Sequence, residues 1–255
     1  MRAWTLLGLV VVALGACGED DEQASGGGTP QLTVSAAASL KTAFTRYGER
    51  FPGASARFSF AGSDELAAQI RQGVAPDVYA AADTTLPDEL FAEGLVEQPT
   101  VFAGNRLVLA VPAEGAAVAS LEDLRADGVK LAIGSANVPV GTYTRTVLEK
   151  LPAEQSEAIL ANVRSEEPDV AGITGKLTQG AVDAGFLYVS DVRATDGALK
   201  AIELPEDLQP AVAYGVAVVK GTEQPEAARA FVAGLLDGAG AQALEDAGFE
   251  PPPGQ

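Results

Sequence analysis

The sequence predicts an α/β protein in which a parallel or mixed sheet is covered by helices on both faces. From Leu32 onward, short apolar runs typical of strands alternate with longer runs of helical period. Proline and glycine punctuate these runs, as at Pro52 and Gly53. Strands separated in this way by helical stretches favour a parallel or mixed sheet with helices on each side.

Each element follows from its local pattern. The run DELAAQIRQG, for example, places Leu66, Ala67 and Ile70 on one helical face and has Gly73 at its stop. The predicted strands are, in order, LTVSAA, ARFSFAG, DVYAAAD, RLVLAVP, KLAIGS, AGFLYVS and YGVAVVK. The predicted helices are LKTAFTRYGERF, DELAAQIRQG and TLPDELFAEG, followed by the stretches near 120–126, 141–151, 169–179, 224–236 and 239–247.

Two segments that contain proline and glycine indicate where the chain changes domain. They are residues 110–120 and residues 204–215. Two crossings imply that the chain leaves the first domain and later returns to it. We therefore expect one lobe from residues 32–111 together with 212–255, and a second lobe from residues 112–211. The alternative is one continuous doubly wound sheet without a hinge.

Composition excludes several classes of function. The 255 residues carry 17 Lys and Arg against 35 Asp and Glu, a formal net charge of -18. Such an acidic chain is a poor partner for nucleic acid or for an anionic lipid surface. Histidine is absent, which excludes Ser-His-Asp catalysis, Cys-His catalysis and histidine-bound zinc. A single cysteine excludes an internal disulfide.

The N-terminus has the pattern of an export signal. Arg2 precedes a mostly apolar run over residues 5–14, which is short for a membrane span. The sequence LGAC then resembles a bacterial lipobox, so we expect residues 1–16 to be a signal peptide and Cys17 to be lipidated. Residues 17–31, acidic and then rich in glycine, would form a flexible tether. The alternative is an ordinary secretory signal, with Cys17 incidental.

Two serines occupy successive junctions between a strand and a helix, Ser39 in TVSAAASLKTAF and Ser63 in FSFAGSDELAAQI. A helix N-terminus has unsatisfied N–H groups and a partial positive charge, and it therefore attracts anions. Ligands of open α/β sheets collect beyond the carboxyl ends of the strands, where both serines lie. The pair is consistent with an oxyanion site, although a serine before a helix is most often only a cap.

Three further positions offer donors. The amide of Val140 lies at a helix start after Pro139, and the amide of Val170 lies at another helix start. Tyr188 ends the strand AGFLYVS, where its hydroxyl either faces a cleft or belongs to the core. On spacing alone, ordinary loops before helices explain the two valines equally well. Asp64, directly after Ser63, would repel an anion, and we expect it to point outward in the first helical turn.

Several segments in order resemble the periplasmic molybdate-binding proteins of ABC importers, which have the type II periplasmic binding-protein fold. They are AAASL, FAGSDELAAQI, GVAPDVYAAAD, GNRLVLAVP, VPVGTY, DVAG, GFLYVSD and YGVAVVKG. The resemblance implies two α/β lobes with a ligand cleft between them. It also implies that molybdate is held by Ser39 and Ser63 through hydroxyl and amide, by the amides of Val140 and Val170, and by the Tyr188 hydroxyl. The family commonly has alanine at the position of Val140.

The resemblance also implies a function. We expect an extracytoplasmic, membrane-anchored lipoprotein that captures molybdate or tungstate and delivers it to an ABC permease. It would be a monomer and not an enzyme, without a cofactor, and with molybdenum bound only as an oxyanion and no direct ligand from protein to metal. The alternatives are a receptor for sulfate, phosphate or a small organic acid, a surface lipoprotein that binds nothing, and a hydrolase using Ser63. The hydrolase would lack both a G-x-S-x-G elbow and a histidine base.

Overall fold

Two five-stranded mixed sheets organise the protein, in a computed structural model that describes residues 30–254. The predicted signal peptide of residues 1–16, Cys17 and nearly all of the predicted tether lie outside the described residues. Among residues 30–254, no helix combines the length and the apolar character needed to cross a bilayer.

The first sheet has the strand order β2-β1-β3-β10-β4. Its strands are β1 (Gln31–Ala37), β2 (Ser55–Ala61), β3 (Val78–Ala81), β4 (Thr100–Asn105) and β10 (Val212–Val218). β1 pairs in parallel with β2 and β3, and β10 pairs antiparallel with β3 and β4. The central strand β3 is buried along its whole length, as parallel strands covered on both faces are. We call the part of the protein built on this sheet lobe 1.

The second sheet has the strand order β7-β6-β8-β5-β9. Its strands are β5 (Leu107–Pro112), β6 (Leu131–Gly134), β7 (Val163–Glu167), β8 (Ala184–Tyr188) and β9 (Leu199–Glu203). β6 pairs in parallel with β7 and β8, whereas β5 pairs antiparallel with β8 and β9. The part built on this sheet is lobe 2. Two separate sheets correspond to the predicted two-lobed fold and not to one continuous sheet.

Helices cover both sheets. They are α1 (Lys41–Gly48), α2 (Ser63–Arg71), α3 (Thr85–Ala92), α4 (Pro139–Glu149), α5 (Ala153–Ala161), α6 (Val170–Thr178), α7 (Val189–Arg193), α8 (Pro225–Leu236) and α9 (Ala239–Asp246). Single 3₁₀ turns occur at Ala38–Leu40 and Glu122–Arg125. The helix predicted near 120–126 is therefore only a turn.

The crossing into lobe 2 lies earlier than expected. The predicted boundary assigned residues up to 111 to the first lobe, but β5 pairs with β8 and β9, for example Leu107 with Tyr188. The chain changes sheet at Arg106, between β4 and β5. The segment with Pro112 and Gly115 misled the prediction because it marks only the far end of β5. Residues 107–111 thus belong with lobe 2.

Candidate functional site

A small cavity lies between the lobes. All five predicted residues line it: Ser39, Ser63, Val140, Val170 and Tyr188. The two serines come from lobe 1, and the other three residues come from lobe 2. The structure thus brings together groups that are up to 149 residues apart in the sequence, as counted from Ser39 to Tyr188 (188 - 39).

The cavity has room for a compact ligand. The space open to the centre of a water-sized sphere is about 20 Å³. Adding the radius of that sphere gives a rounded space of about 3 Å radius. A single central atom with a few bonded oxygens fits such a space, whereas a sugar or a peptide does not.

Ser39 belongs to the 3₁₀ turn Ala38–Leu40 that links β1 to α1. Its side chain caps neither the turn nor α1, whose N-cap is Leu40. Instead, the Ser39 hydroxyl lies 3.0 Å from the hydroxyl of Tyr214. The side chain is thus held toward the interior between the lobes and is not used to start the helix.

Ser63 is the first residue of α2, and the N-cap of that helix is Gly62. The Ser63 hydroxyl accepts a hydrogen bond of 3.0 Å from the backbone N–H of Ala82. A serine hydroxyl that accepts in this way still has its own proton to donate. In neither serine does the side chain form a capping bond, so simple capping does not explain their positions.

Val140 and Val170 occupy the N-terminal turns of α4 and α6. The first N–H groups of a helix have no partner within the helix, so both amides are free to point at a ligand. Pro139 starts α4 without an N–H of its own, as is common at this position. In α6 the carboxylate of Asp169 accepts a 2.9 Å bond from the N–H of Gly172. That bond holds the Asp169 side chain as a cap.

Tyr188 is completely buried at the end of β8. Its hydroxyl has no hydrogen-bond partner among the described residues. Burial, with smaller contributions from Tyr214 and Tyr143, raises the pKa of Tyr188 well above its ordinary value, so the hydroxyl stays protonated. An unpaired buried hydroxyl costs roughly 1 to 3 kcal/mol, and a ligand that accepts from it would remove this cost.

The electrostatic character of the cavity comes from the backbone and the hydroxyl groups. Among the described residues that line the cavity, none carries a positive charge and one, Asp169, is acidic. The helix N-termini and the hydroxyls therefore supply the positive potential. Hydrogen bonds to an anion are charge-assisted and are stronger away from bulk water, so neutral donors of this kind can hold an anion.

Asp64 lies outside the cavity lining, but it does not face water as we expected. It is half-buried, and its Oδ2 accepts a 2.9 Å bond from the side-chain amide of Asn137 in lobe 2. Its Oδ1 is buried without a partner among the described residues. Asp64 therefore bridges the cleft, since the two lobes approach closely here: a Cβ on Gly62 would lie 2.6 Å from the carbonyl oxygen of Pro168.

Two polar residues that contact Ser39 and Asp64 were not predicted from the sequence. Tyr214, which contacts Ser39, lies in an apolar strand, where a tyrosine is commonly a core residue. Asn137, which contacts Asp64, lies in a loop of lobe 2. No local pattern links either residue to its partner across the fold.

Comparison with known proteins agrees with this architecture. Residues 32–250 match the family described as bacterial extracellular solute-binding protein. The molybdate-binding protein ModA of Mycobacterium tuberculosis is 37% identical, over 96% of this chain and 95% of that protein. A more distant relative, 25% identical over 66% of this chain and 65% of its own length, is named aconitate isomerase, from a Pseudomonas species.

Solved structures are also similar. The substrate-binding domain of a putative molybdenum ABC transporter from Clostridium difficile has a TM-score of 0.66 and 28% identity, covering 88% of this chain and 99% of that chain. A periplasmic molybdate-binding protein of Azotobacter vinelandii has a TM-score of 0.76 at 20% identity, covering 87% and 99%, and supports the fold. The two lobes, the cavity between them and the match over nearly all of the described residues lead to one conclusion: the chain belongs to the family of bacterial extracellular solute-binding proteins.

Proposed function

We propose that the protein captures molybdate outside the cytoplasm and delivers it to an ABC permease. The observation that carries this proposal is the cavity lined by Ser39, Ser63, Val140, Val170 and Tyr188, with the unpaired Tyr188 hydroxyl in its wall. The relatives named for molybdate binding support the same ligand.

The donor set favours a fully ionised oxyanion. The proposed contacts are the hydroxyls of Ser39, Ser63 and Tyr188 and the amides of Ser39, Ser63, Val140 and Val170. All of these groups donate, and a tetrahedral dianion can accept from each. An oxyanion that carries a proton would need an acceptor, and the acidic side chain in the wall, Asp169, is already held as the cap of α6 by the N–H of Gly172. Molybdate and tungstate are nearly equal in size and charge, so we propose that both bind.

Binding would stabilise the closed arrangement of the lobes. Donors from both lobes meet around one cavity, so a ligand gains its full set of hydrogen bonds only when the lobes are together. This difference in contacts between the open and closed states drives closure. A permease that recognises the closed form would then receive only loaded protein.

We infer a binding protein and not an enzyme. A serine nucleophile needs an adjacent base to take its proton. Among the described residues, the hydrogen-bond partner of the Ser63 hydroxyl is the backbone N–H of Ala82 and not a basic side chain. The sequence contains no histidine to act as that base. We further propose that Cys17 carries a lipid that tethers a monomeric protein to the outer face of a membrane.

Isothermal titration with molybdate, tungstate, sulfate and phosphate at neutral pH tests the proposal. We expect one site per chain that binds molybdate and tungstate with similar affinity and sulfate more weakly. Tight binding of sulfate or phosphate without a molybdate signal would instead identify a receptor for another tetrahedral oxyanion. A chain that turns over aconitate and binds none of the four anions would contradict the proposal.

A further inference from the structure

Tyr214 lies directly behind Ser39 but outside the cavity lining. It is on β10 and is completely buried. Its hydroxyl is 3.0 Å from the Ser39 hydroxyl, and geometry alone allows either oxygen to donate. The direction of this bond matters, because it decides whether Ser39 has a proton left for the cavity.

The burial of Tyr214 indicates the direction of that bond. Among the described residues, the Tyr214 hydroxyl forms a hydrogen bond only with Ser39, and Tyr214 is completely buried. A buried O–H proton without an acceptor is costly. The Ser39 side chain also lines the cavity, where a bound anion can accept its proton. The Tyr214 proton is therefore directed to the Ser39 oxygen.

The consequence is that the Ser39 oxygen accepts from behind and its own proton is left for the cavity. Ser63 is in the same situation, because its oxygen accepts from the N–H of Ala82. Each serine hydroxyl is thus held as a donor by a group of lobe 1.

We propose that Tyr214 is a positioning residue that holds Ser39 as a donor and so favours fully ionised oxyanions over oxyanions that carry a proton. This inference rests on the proposed function and deepens it. At neutral pH, phosphate retains a proton that requires an acceptor, whereas molybdate does not. With Tyr214 donating to Ser39, the Ser39 hydroxyl directs its own proton into the cavity. A ligand O–H that points at Ser39 would therefore meet another donor where it needs an acceptor.

If Tyr214 served only to pack the core, removing its hydroxyl would leave anion binding unchanged. Its ring makes edge contacts with Phe102, Tyr188 and Phe249, at centroid distances of 6.2, 5.8 and 5.2 Å. Tyr214→Phe keeps these contacts and removes only the hydroxyl. Tyr47→Phe is a matched control, because Tyr47 is also buried in lobe 1 and donates a hydrogen bond of 3.1 Å to the carbonyl of Phe231. Neither Tyr47 nor Phe231 lines the cavity.

The test is a double-mutant cycle on the full mature chain, with titration of molybdate and phosphate. We expect Tyr214→Phe to bind molybdate about five- to tenfold more weakly. The dissociation constant for phosphate divided by that for molybdate should also become smaller. In a Ser39→Ala background the same change should alter molybdate affinity less than about twofold, since Tyr214 acts through Ser39. Tyr47→Phe should leave both affinities unchanged.

The inference is overturned if Tyr214→Phe binds molybdate like the unaltered protein, or if its loss is the same with and without Ser39. A folded variant is identified by its cooperative thermal unfolding, so misfolding does not imitate either result. If the unaltered protein binds none of the anions, the proposed function fails and this inference with it. If the unaltered protein binds molybdate and Tyr214→Phe binds it equally well, this inference fails but the proposed function stands.

Discussion

Replacing Tyr188 by phenylalanine should change stability and binding in opposite directions. The Tyr188 side chain is 0% exposed and its hydroxyl has no partner in the described structure, so the ligand-free protein carries an uncompensated buried polar group. Removing that group should raise the free energy of unfolding by about 1 kcal/mol. For a domain of this size, the gain corresponds to a melting temperature about 2 to 4 °C higher.

The same change removes one donor from the proposed anion site. A hydrogen bond to a charged group is worth about 1.5 to 3 kcal/mol, so the dissociation constant for molybdate should rise roughly 10- to 150-fold. Phenylalanine retains the edge contacts of the ring with Tyr143 and Tyr214. The loss of affinity is therefore attributable to the hydroxyl.

Thermal unfolding without ligand and titration with molybdate measure the two effects. The control is Tyr47→Phe, which removes a paired hydroxyl and should lower stability by about 1 kcal/mol while leaving binding intact. A Tyr188→Phe protein that is destabilised like the control and binds molybdate normally would refute the reasoning. It would mean that the Tyr188 hydroxyl has a structural partner and does not meet the ligand.

Three other changes have defined outcomes. Ser63→Ala removes a proposed donor and the acceptor of the Ala82 N–H, so titration should show molybdate binding weakened by roughly 1 to 3 kcal/mol. Gly62→Ala places a Cβ 2.6 Å from the Pro168 carbonyl oxygen, so it should hold the lobes apart, weaken binding and enlarge the ligand-bound form in small-angle scattering. Burial raises the pKa of Asp191 to about 7, so its ionisation should lower stability as pH rises from about 4 to about 7, and Asp191→Asn should remove that loss in urea unfolding.

Each of these three predictions has a control or a stated result that would contradict it. Ser55 is exposed, and Ser55→Ala should bind normally; equal affinity in Ser63→Ala would leave that serine without a ligand role. Gly175→Ala is the control for Gly62→Ala, because a Cβ on Gly175 has its nearest neighbouring atom at 4.0 Å. If the Gly62→Ala protein closes and binds molybdate as the Gly175→Ala protein does, the cleft tolerates a methyl group. For Asp191, the sign follows from the folded state holding the proton more tightly than the unfolded chain. A difference in stability between Asp191→Asn and the unaltered protein that is independent of pH would contradict it.

The sequence was most informative where a local pattern determines the structure. Central strands such as β3 are apolar throughout and were predicted, whereas β7 and β9 were not, because VRSEE and LKAIE are partly exposed edge strands with many polar residues. The short helix α7 and the helix α5 were also missed. The crossing at Arg106 could not be found locally, because only pairing with β8 and β9 reveals that β5 has changed sheet.

The candidate site shows the same division. Strand ends and helix starts predict where Ser39, Ser63, Val140, Val170 and Tyr188 lie, and the structure gathers all five around one cavity. That they bind the ligand stays a prediction. The polar residues that support the site were not predicted, since contacts such as Ser39 with Tyr214 join positions 175 residues apart.

The most direct test of the account is a crystal structure of the protein grown with molybdate, in which the anomalous scattering of molybdenum locates the ion. We predict a single ion in the cavity between the lobes. Its oxygens should lie about 2.7 to 3.2 Å from the Tyr188 hydroxyl, the two serine hydroxyls and the amides of Val140 and Val170. An ion held by lysine or arginine side chains at another place, with this cavity empty, would contradict the claim that uncharged donors from two lobes enclose the anion.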